Sequence, residues 1–211
     1  MPQPFTALSA IAAPIMRGNI DTDVIIRIER LVGNSVRGSL GKWAFGSLRY
    51  LPDGSENPAF ILNREPYRQA EILVTGPNFG CGSSREGAVW ALQEMGIRAV
   101  IGSGFGDIFF ANCFQNGVLP IVIDKEIVDG LAAEIEFTQG SGRISVDLET
   151  QTIISPSGMR HHFEIDPLRR AGLLEGLDEV LQTLRRDDEI RAFQVADRKA
   201  RPWIHFAGKH A

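Results

Sequence analysis

The chain has 211 residues, of which 44% are hydrophobic and 23% charged, and its formal net charge is −4. This length and composition predict a globular protein with a core of ordinary size. A net negative charge without a basic block argues against nucleic acid as the main partner. No apolar run reaches the roughly 18–20 residues that span a bilayer, so we expect no membrane segment.

The cysteine content limits the compartment and the metals that we expect. Cys81 and Cys113 are too few for a disulfide framework in a chain of this length. Together with an N-terminus that lacks a secretory pattern, they predict a reduced, cytoplasmic protein. A [4Fe-4S] cluster usually takes more than two thiolates, so any cluster involved must be held mostly by another chain.

The first third of the chain shows weak periodicity. Short strands are predicted at 8–16 and 24–28, joined by a polar turn. Residues 32–63 contain many glycines and aromatics with little periodicity, which indicates a long, partly ordered insertion.

The remainder alternates more clearly between strand and helix. A βαβ pattern with parallel pairing is predicted from strands at 71–75, 98–102 and 119–123 and helices at about 84–95 and 106–115. The elements predicted after it are a helix from Asp124 to about 137, a hairpin of 143–148 and 152–155, a helix opened by Asp166-Pro167, and helices near 176–184 and 187–198.

The most informative segment is the glycine-rich run 76–86, which ends in Ser83-Ser84-Arg85-Glu86. It lies between a predicted strand and a predicted helix. Backbone N–H groups, two hydroxyls and a guanidinium would meet there at a helix N-terminus, which suits a carboxylate or a phosphate. The same four residues fit a capping box equally well, with Ser83 as N-cap and Glu86 at the third helical position.

Three familiar motifs do not fit this run. A dinucleotide fingerprint would need glycine at Arg85, a phosphate-binding P-loop would need a lysine before the serines, and neither serine has the flanking glycines of a hydrolase elbow. What remains is a serine beside an arginine at a positive helix end, where a serine alkoxide is stabilised. Such a serine could take a proton from a carbon next to a carboxylate that its neighbours bind, as in adding or removing water on small polycarboxylates.

The run 80–86 resembles the signature of the swivelling domain of the aconitase superfamily. It is similar in particular to the family of separate small subunits of bacterial 3-isopropylmalate dehydratases (isopropylmalate isomerases). Further matching motifs follow in family order at 19–26, at 105–109 with Asn112, and at 116–120. The resemblance implies an α/β fold: one β/β/α swivelling domain over 1–211, with a central mostly parallel sheet flanked by helices and a helical C-terminal extension.

The resemblance also implies a hydro-lyase that is active only with a large partner subunit. It would interconvert 2-isopropylmalate and 3-isopropylmalate, small dicarboxylates of leucine biosynthesis, through a dehydrated intermediate. In that family the large subunit carries the [4Fe-4S] cluster, whose open iron acts as a Lewis acid, and the small subunit binds no metal.

By the same resemblance, Ser83 would be the catalytic base. A loop after the Asp-Thr-Asp motif would contact the variable group of the substrate with an apolar wall. The substrate-binding residues that the resemblance implies are Ser84, Arg85, Asp23, Leu31 and Val32.

Two departures from the family pattern leave the substrate open. Arg27 and Arg30 stand where the family commonly has a proline and an aromatic residue, and Gly87 stands where a histidine is common. If either arginine enters the site, a paralogue that acts on citraconate, methylmalate or another diacid is an alternative. A non-catalytic module that binds an anionic metabolite and a serine hydrolase that uses Ser84 are further alternatives.

Overall fold

The computed structural model describes residues 2–32 and 37–204. The strands are β1 (Ala7–Ile15), β2 (Ile72–Thr75), β3 (Ala99–Gly102), β4 (Leu119–Val122), β5 (Arg143–Asp147), β6 (Thr152–Ile154) and β7 (Arg160–His162). Across these described ranges they form one sheet in the order β4-β3-β2-β1-β5-β6-β7. The pairs among β1 to β4 are parallel and those from β1 through β5 and β6 to β7 are antiparallel, so the sheet is mixed around a parallel core.

Helices cover both faces of this sheet. They are α1 (Thr22–Ile25), α2 (Gly46–Arg49), α3 (Glu86–Glu94), α4 (Asp107–Gln115), α5 (Lys125–Phe137), α6 (Pro167–Glu175), α7 (Glu179–Leu184) and α8 (Asp187–Ala200). Single 3₁₀ turns occur at Ile28–Arg30, Gly41–Trp43, Ile61–Asn63, Tyr67–Gln69 and Pro202–Ile204. In the described part of the chain, no helix is both long and apolar enough to cross a membrane.

The core has one apolar layer on each face of the sheet. Successive side chains of β2 alternate between the layers, as the period of a strand requires. Ile72 and Val74 belong to the cluster that contains the buried side chains of α5, whereas Leu73 belongs to the cluster with α3 and α4. The parallel strands β2 and β3 are therefore buried on both faces, which explains why they are mostly apolar.

The predicted βαβ region is confirmed. Strands and helices occur within a few residues of their predicted bounds, and the register pairs Ala12 with Ile72, Ile72 with Ala99 and Ala99 with Leu119. The predicted hairpin is formed by β5 and β6. Asp166 caps α6 as its sequence indicates, because its carboxylate accepts hydrogen bonds from the first backbone N–H groups of that helix.

The strand predicted at 24–28 is wrong. Residues Thr22–Ile25 form the short helix α1, and a 3₁₀ turn follows at Ile28–Arg30. The side chain of Asp21 accepts a hydrogen bond of 2.8 Å from the N–H of Val24 and so caps α1. A short apolar run fits a strand or a buried helix equally well, and here the N-cap decides for the helix.

The segment predicted as a long insertion at 32–63 packs against α3 where it is described. Leu40, Ala44, Phe45 and Leu62 are buried in the same apolar layer as α3. The carboxylate of Glu94 at the end of α3 accepts backbone hydrogen bonds from the start of this segment. The segment thus covers α3, and residues 33–36 within it lie outside the described residues.

Candidate active site

The loops that follow the parallel strands β1 and β2 are joined by backbone hydrogen bonds at the carboxyl ends of these strands. The N–H of Asn19, after β1, donates to the carbonyl of Pro77, after β2, at 2.9 Å. In return the N–H of Gly80 donates to the carbonyl of Ile20 at 2.7 Å. Ligands of open α/β sheets commonly bind outside the carboxyl ends of the strands, and this junction lies there.

The loop after β3 joins the same junction. The N–H of Phe79 donates to the carbonyl of Gly104 at 3.3 Å, and the N–H of Gly106 donates to the carbonyl of Phe79 at 2.9 Å. A Cβ atom at position 106 would lie 2.5 Å from the carbonyl oxygen of Gly80. Glycine at 106 therefore allows the third loop to contact the glycine-rich turn backbone to backbone.

The glycine-rich turn has an unusual backbone. Asn78, Gly80 and Gly82 have φ angles of 58°, 72° and 89°, so every second residue is left-handed. Gly80 also lies against the ring of Phe109, where a Cβ atom would be only 2.2 Å from Cγ. Glycine meets both demands at position 80, since other residues rarely adopt this conformation and all of them carry a Cβ.

The two serines lie on the solvent side of this turn. Ser83 and Ser84 are exposed, and within the described residues neither hydroxyl has a hydrogen-bond partner. The carbonyl of Ser83 accepts a hydrogen bond of 2.9 Å from the hydroxyl of Thr22, which is buried. The hydrogen bond from Thr22 thus fixes the backbone at Ser83, while the Ser83 hydroxyl remains accessible on the solvent side.

Ser83 lines an open pocket of about 330 Å³. The other walls come from the glycine-rich turn, including Cys81, and from the start of α4, including Asp107. Both residues lie within motifs of the sequence, but neither is among the predicted site residues. Their position becomes apparent only when the loops after β2 and β3 meet.

Arg85 and Asp23 form an ion pair beside this pocket. The side chain of Arg85 is 16% exposed and that of Asp23 is 52% exposed, so the pair lies at the boundary between protein and solvent. The hydrogen bond from Arg85 is the main cause that lowers the pKa of Asp23 below its ordinary value. Asp23 is therefore ionised at neutral pH and orients the guanidinium.

The capping box, the alternative role for Ser83 and Glu86, is not formed. Helix α3 begins at Glu86, and Arg85 occupies the N-cap position without a side-chain capping bond. The carboxylate of Glu86 instead accepts a 2.9 Å hydrogen bond from the side chain of Asn116, whose oxygen in turn accepts from the indole N–H of Trp90 at 3.0 Å. Neither Ser83 nor Glu86 forms its capping-box hydrogen bond, so the Ser83 hydroxyl is not used to cap α3.

The predicted apolar wall lies over the start of α3. Leu31 is half-buried and packs closely against Gly87, two residues after Arg85. Val32 is 58% exposed, so it makes much less contact with the protein. The next residue of the predicted loop, Gly33, lies outside the described residues.

Arg27 and Arg30 line a different pocket from Ser83. Arg27 pairs with Glu29 at 3.1 Å on the surface, and the guanidinium carbon of Arg30 lies 3.5 Å from the ring centre of Trp43. Both arginines line a pocket of about 470 Å³ that shares no lining residue with the pocket at Ser83. Neither arginine lines the pocket at Ser83, although Arg27 contributes to the lowered pKa of Asp23.

Metal ligands are not assembled in the part of the chain that the structure describes, where no group of three or more His, Cys, Asp or Glu could hold a metal ion. Cys113 is fully buried in α4, and this burial raises the pKa of its thiol well above the usual range. Cys81 is the partly exposed cysteine, and it lines the serine pocket.

Comparison with known proteins identifies the family. A family model of the aconitase C-terminal domain matches residues 2–126, and a second one, LeuD_N, matches residues 129–167. The 3-isopropylmalate dehydratase small subunit of Gluconacetobacter diazotrophicus is 53% identical over 94% of this chain and 95% of its own length. The chain belongs to the family of 3-isopropylmalate dehydratase small subunits.

A second curated relative and one solved structure are also similar to this chain. The small subunit of Gluconobacter oxydans is 52% identical over 95% of this chain and 94% of its own length. The crystal structure of 3-isopropylmalate dehydratase (LeuD) from Methanocaldococcus jannaschii matches with a TM-score of 0.63 and covers 89% of this chain and 99% of that one. At 24% identity this last match shows the fold alone, and with the observed sheet it confirms the predicted α/β fold with a mostly parallel core flanked by helices.

Proposed function

We propose that the chain is the small subunit of a two-chain hydro-lyase that interconverts 2-isopropylmalate and 3-isopropylmalate by removal and return of water. The relatives at 53% and 52% identity carry the name of this enzyme's small subunit. The observation that carries the proposal within this chain is the exposed Ser83 hydroxyl on a braced turn, next to an arginine whose orientation is fixed by Asp23.

The partner in this proposal is a large subunit that carries a [4Fe-4S] cluster. The described residues of this chain do not fit such a cluster, since they offer no group of metal ligands and Cys113 is inside the core. The cluster therefore belongs to the partner in our proposal, and the chemistry assigned to this chain is limited to its own residues.

Ser83 acts as the base in the proposed reaction. In the direction of dehydration, the Ser83 alkoxide takes the proton from the carbon next to a carboxylate of the substrate and becomes a hydroxyl, while the C–H electron pair forms the double bond and hydroxide leaves the neighbouring carbon. In the reverse direction, the Ser83 hydroxyl returns that proton to carbon as hydroxide is added back. The alkoxide form is stabilised by the guanidinium of Arg85 and by the positive end of α3, which begins three residues later.

Ser84 and Arg85 hold a substrate carboxylate in this proposal. One nitrogen of the guanidinium bonds to Asp23, and the remaining N–H groups can donate to the substrate. Charge-assisted hydrogen bonds of this kind fix both the position and the rotation of a carboxylate. Leu31, over the start of α3, supplies the apolar wall for the alkyl group, and Val32 extends it on the exposed side.

Substitution of the base tests the proposal. In the complex reconstituted with its large subunit, Ser83→Ala should lower kcat by about 10²–10⁴-fold, the usual contribution of a general base, with little change in KM. Ser84→Ala should mainly raise KM. The formation of the unsaturated diacid is followed by its absorbance, and the melting temperature of each variant shows whether its fold is intact.

Ser47→Ala is the matched control, because Ser47 is also exposed but lines the other pocket. It should leave kcat and KM unchanged. A Ser83→Ala complex with normal turnover would exclude Ser83 as the base. Arg85→Lys should raise KM and lower kcat, because an ammonium cannot reproduce the planar pairing of a guanidinium with both Asp23 and the substrate.

A further inference from the structure

Gly87 is the second residue of α3, and the direction in which a Cβ atom would project from it is towards Leu31. A Cβ atom at position 87 would lie 2.5 Å from Cδ2 of Leu31, 2.8 Å from Cδ1 and 3.2 Å from Cγ. These are the three nearest atoms, and all belong to one side chain. The leucine therefore occupies the space that any larger residue at 87 would fill.

Leu31 is held in this place by its own backbone as well. It ends the 3₁₀ turn Ile28–Arg30, and its N–H donates to the carbonyl of Ile28 at 2.9 Å. The side chain packs against the apolar layer that contains α1 and α3. Because the backbone is fixed, a clash at Gly87 would be relieved mainly by movement of the leucine side chain.

The position has a functional consequence because α3 begins next to Arg85, which binds the substrate carboxylate in the proposed function. In that proposed function Leu31, which packs against the first turn of α3, forms the apolar wall beside the substrate. Glycine is otherwise unfavourable inside a helix, so helix formation alone would favour alanine at position 87.

We propose that Gly87 determines substrate specificity by positioning: the absence of a side chain lets Leu31 seat against α3, and this sets the room left for the alkyl group of the substrate. The inference rests on the proposed function and goes beyond it, because it assigns the size limit of the alkyl pocket to a residue that does not touch the substrate. Alanine at 87 would push Leu31 outward and narrow the pocket.

The test is the ratio of kcat/KM for 2-isopropylmalate to kcat/KM for 2-methylmalate in the reconstituted complex. Gly87→Ala should lower this ratio by about tenfold, within the range by which apolar pockets discriminate one or two methyl groups. Gly130→Ala is the control, because Gly130 is a helical glycine of α5 whose Cβ would meet no atom within 4 Å. It should leave the ratio unchanged.

A double-mutant cycle separates positioning from a general structural effect. Valine at 31 lacks the two Cδ atoms that clash, so Gly87→Ala should have no effect on the ratio in a Leu31→Val background. A ratio that is unchanged in Gly87→Ala, or a decrease that persists with Leu31→Val, would overturn the inference. If the Gly87→Ala chain does not assemble with the large subunit, the addition of Leu31→Val should restore assembly. A double variant that still fails to assemble would also overturn the inference.

The outcomes also distinguish this inference from the proposed function. Full activity of Ser83→Ala would remove the proposed base, whatever the ratio does. An inactive Ser83→Ala complex together with an unaltered ratio in Gly87→Ala would leave the proposed function standing and exclude only the positioning role of Gly87.

Discussion

Substitution of Gly106 by alanine should disturb the junction of the three loops. The added Cβ would lie 2.5 Å from the carbonyl oxygen of Gly80 and 2.9 Å from Cα of Cys81. Both neighbours are backbone atoms of the glycine-rich turn, so no side-chain rotation can relieve the contact. The turn itself has to move away from the start of α4.

The size of the effect follows from this distance. The closest contact is roughly 0.9 Å short of the 3.4 Å at which ordinary contact begins. Overpacking of this kind typically costs about 1–3 kcal/mol. For a chain of this length, a loss of about 2 kcal/mol lowers the melting temperature by roughly 4–8 °C. Because the turn carries Ser83, a shift approaching 1 Å should also lower kcat by up to about 10²-fold.

Thermal unfolding of the isolated subunit, followed by circular dichroism, measures the first effect, and turnover of the reconstituted complex measures the second. Gly104→Ala is the control: it lies in the same loop, its φ is not left-handed, and its Cβ would meet no atom within 4 Å. It should be neutral or stabilising by up to about 1 kcal/mol. If both variants melt alike and turn over alike, the tight contact at Gly106 is refuted.

Two further predictions concern polar contacts around the site. In Arg85→Gln the pKa of Asp23 should rise towards its ordinary value of 3.8, because the hydrogen bond from Arg85 is the main cause of its lowering. An NMR titration that finds no change in the pKa of Asp23 would contradict this pairing. In the wild type the pair stabilises the fold fully above the unfolded-state pKa, and this contribution is lost as pH falls through the lowered native pKa. Asn116→Ala should lower the free energy of unfolding in urea by about 1–3 kcal/mol, because the indole N–H of Trp90 loses its acceptor. Gln115→Ala, whose side chain forms its bond at the surface, should cost much less, and equal losses in both would argue against the buried network.

The parallel part of the fold could be predicted from the sequence because each element has its own local signal. The run at β2 is apolar from Ile72 to Val74 and is followed by Gly76, while Gly96 follows α3 and Gly106 and Gly117 flank α4. Such patterns depend on residues within about ten positions of one another, so the local sequence is sufficient to predict each strand or helix. The segment Val24–Ile26 was ambiguous for the same reason: its local pattern fits two structures.

The capping box shows where local patterns fail. Ser83 and Glu86 have the right types and spacing, but Glu86 bonds to Asn116, thirty residues away in the chain. A local pattern describes which bond is possible, whereas the fold decides between that bond and a distant competitor. The position of Arg30 has the same origin, since it depends on Trp43 in a segment without periodicity.

Within the candidate site, the sequence pointed to the serine turn and to Asp23 but missed Thr22. Its hydroxyl bonds to the carbonyl of Ser83, and its side chain is buried. The available signal was its place between two aspartates, in a segment otherwise made of apolar residues. A threonine there needs a buried acceptor, but the sequence could not tell that the acceptor is the backbone of the serine turn.

Three consecutive residues, Asp21, Thr22 and Asp23, act on three different targets. The first caps α1, the second braces Ser83 and the third orients Arg85. A point substitution removes one of these contacts, but a single-residue insertion or deletion between β1 and α1 would shift all three at once. This stretch of the chain therefore tolerates exchanges of residue type better than changes of length, and its spacing should vary least among functional relatives.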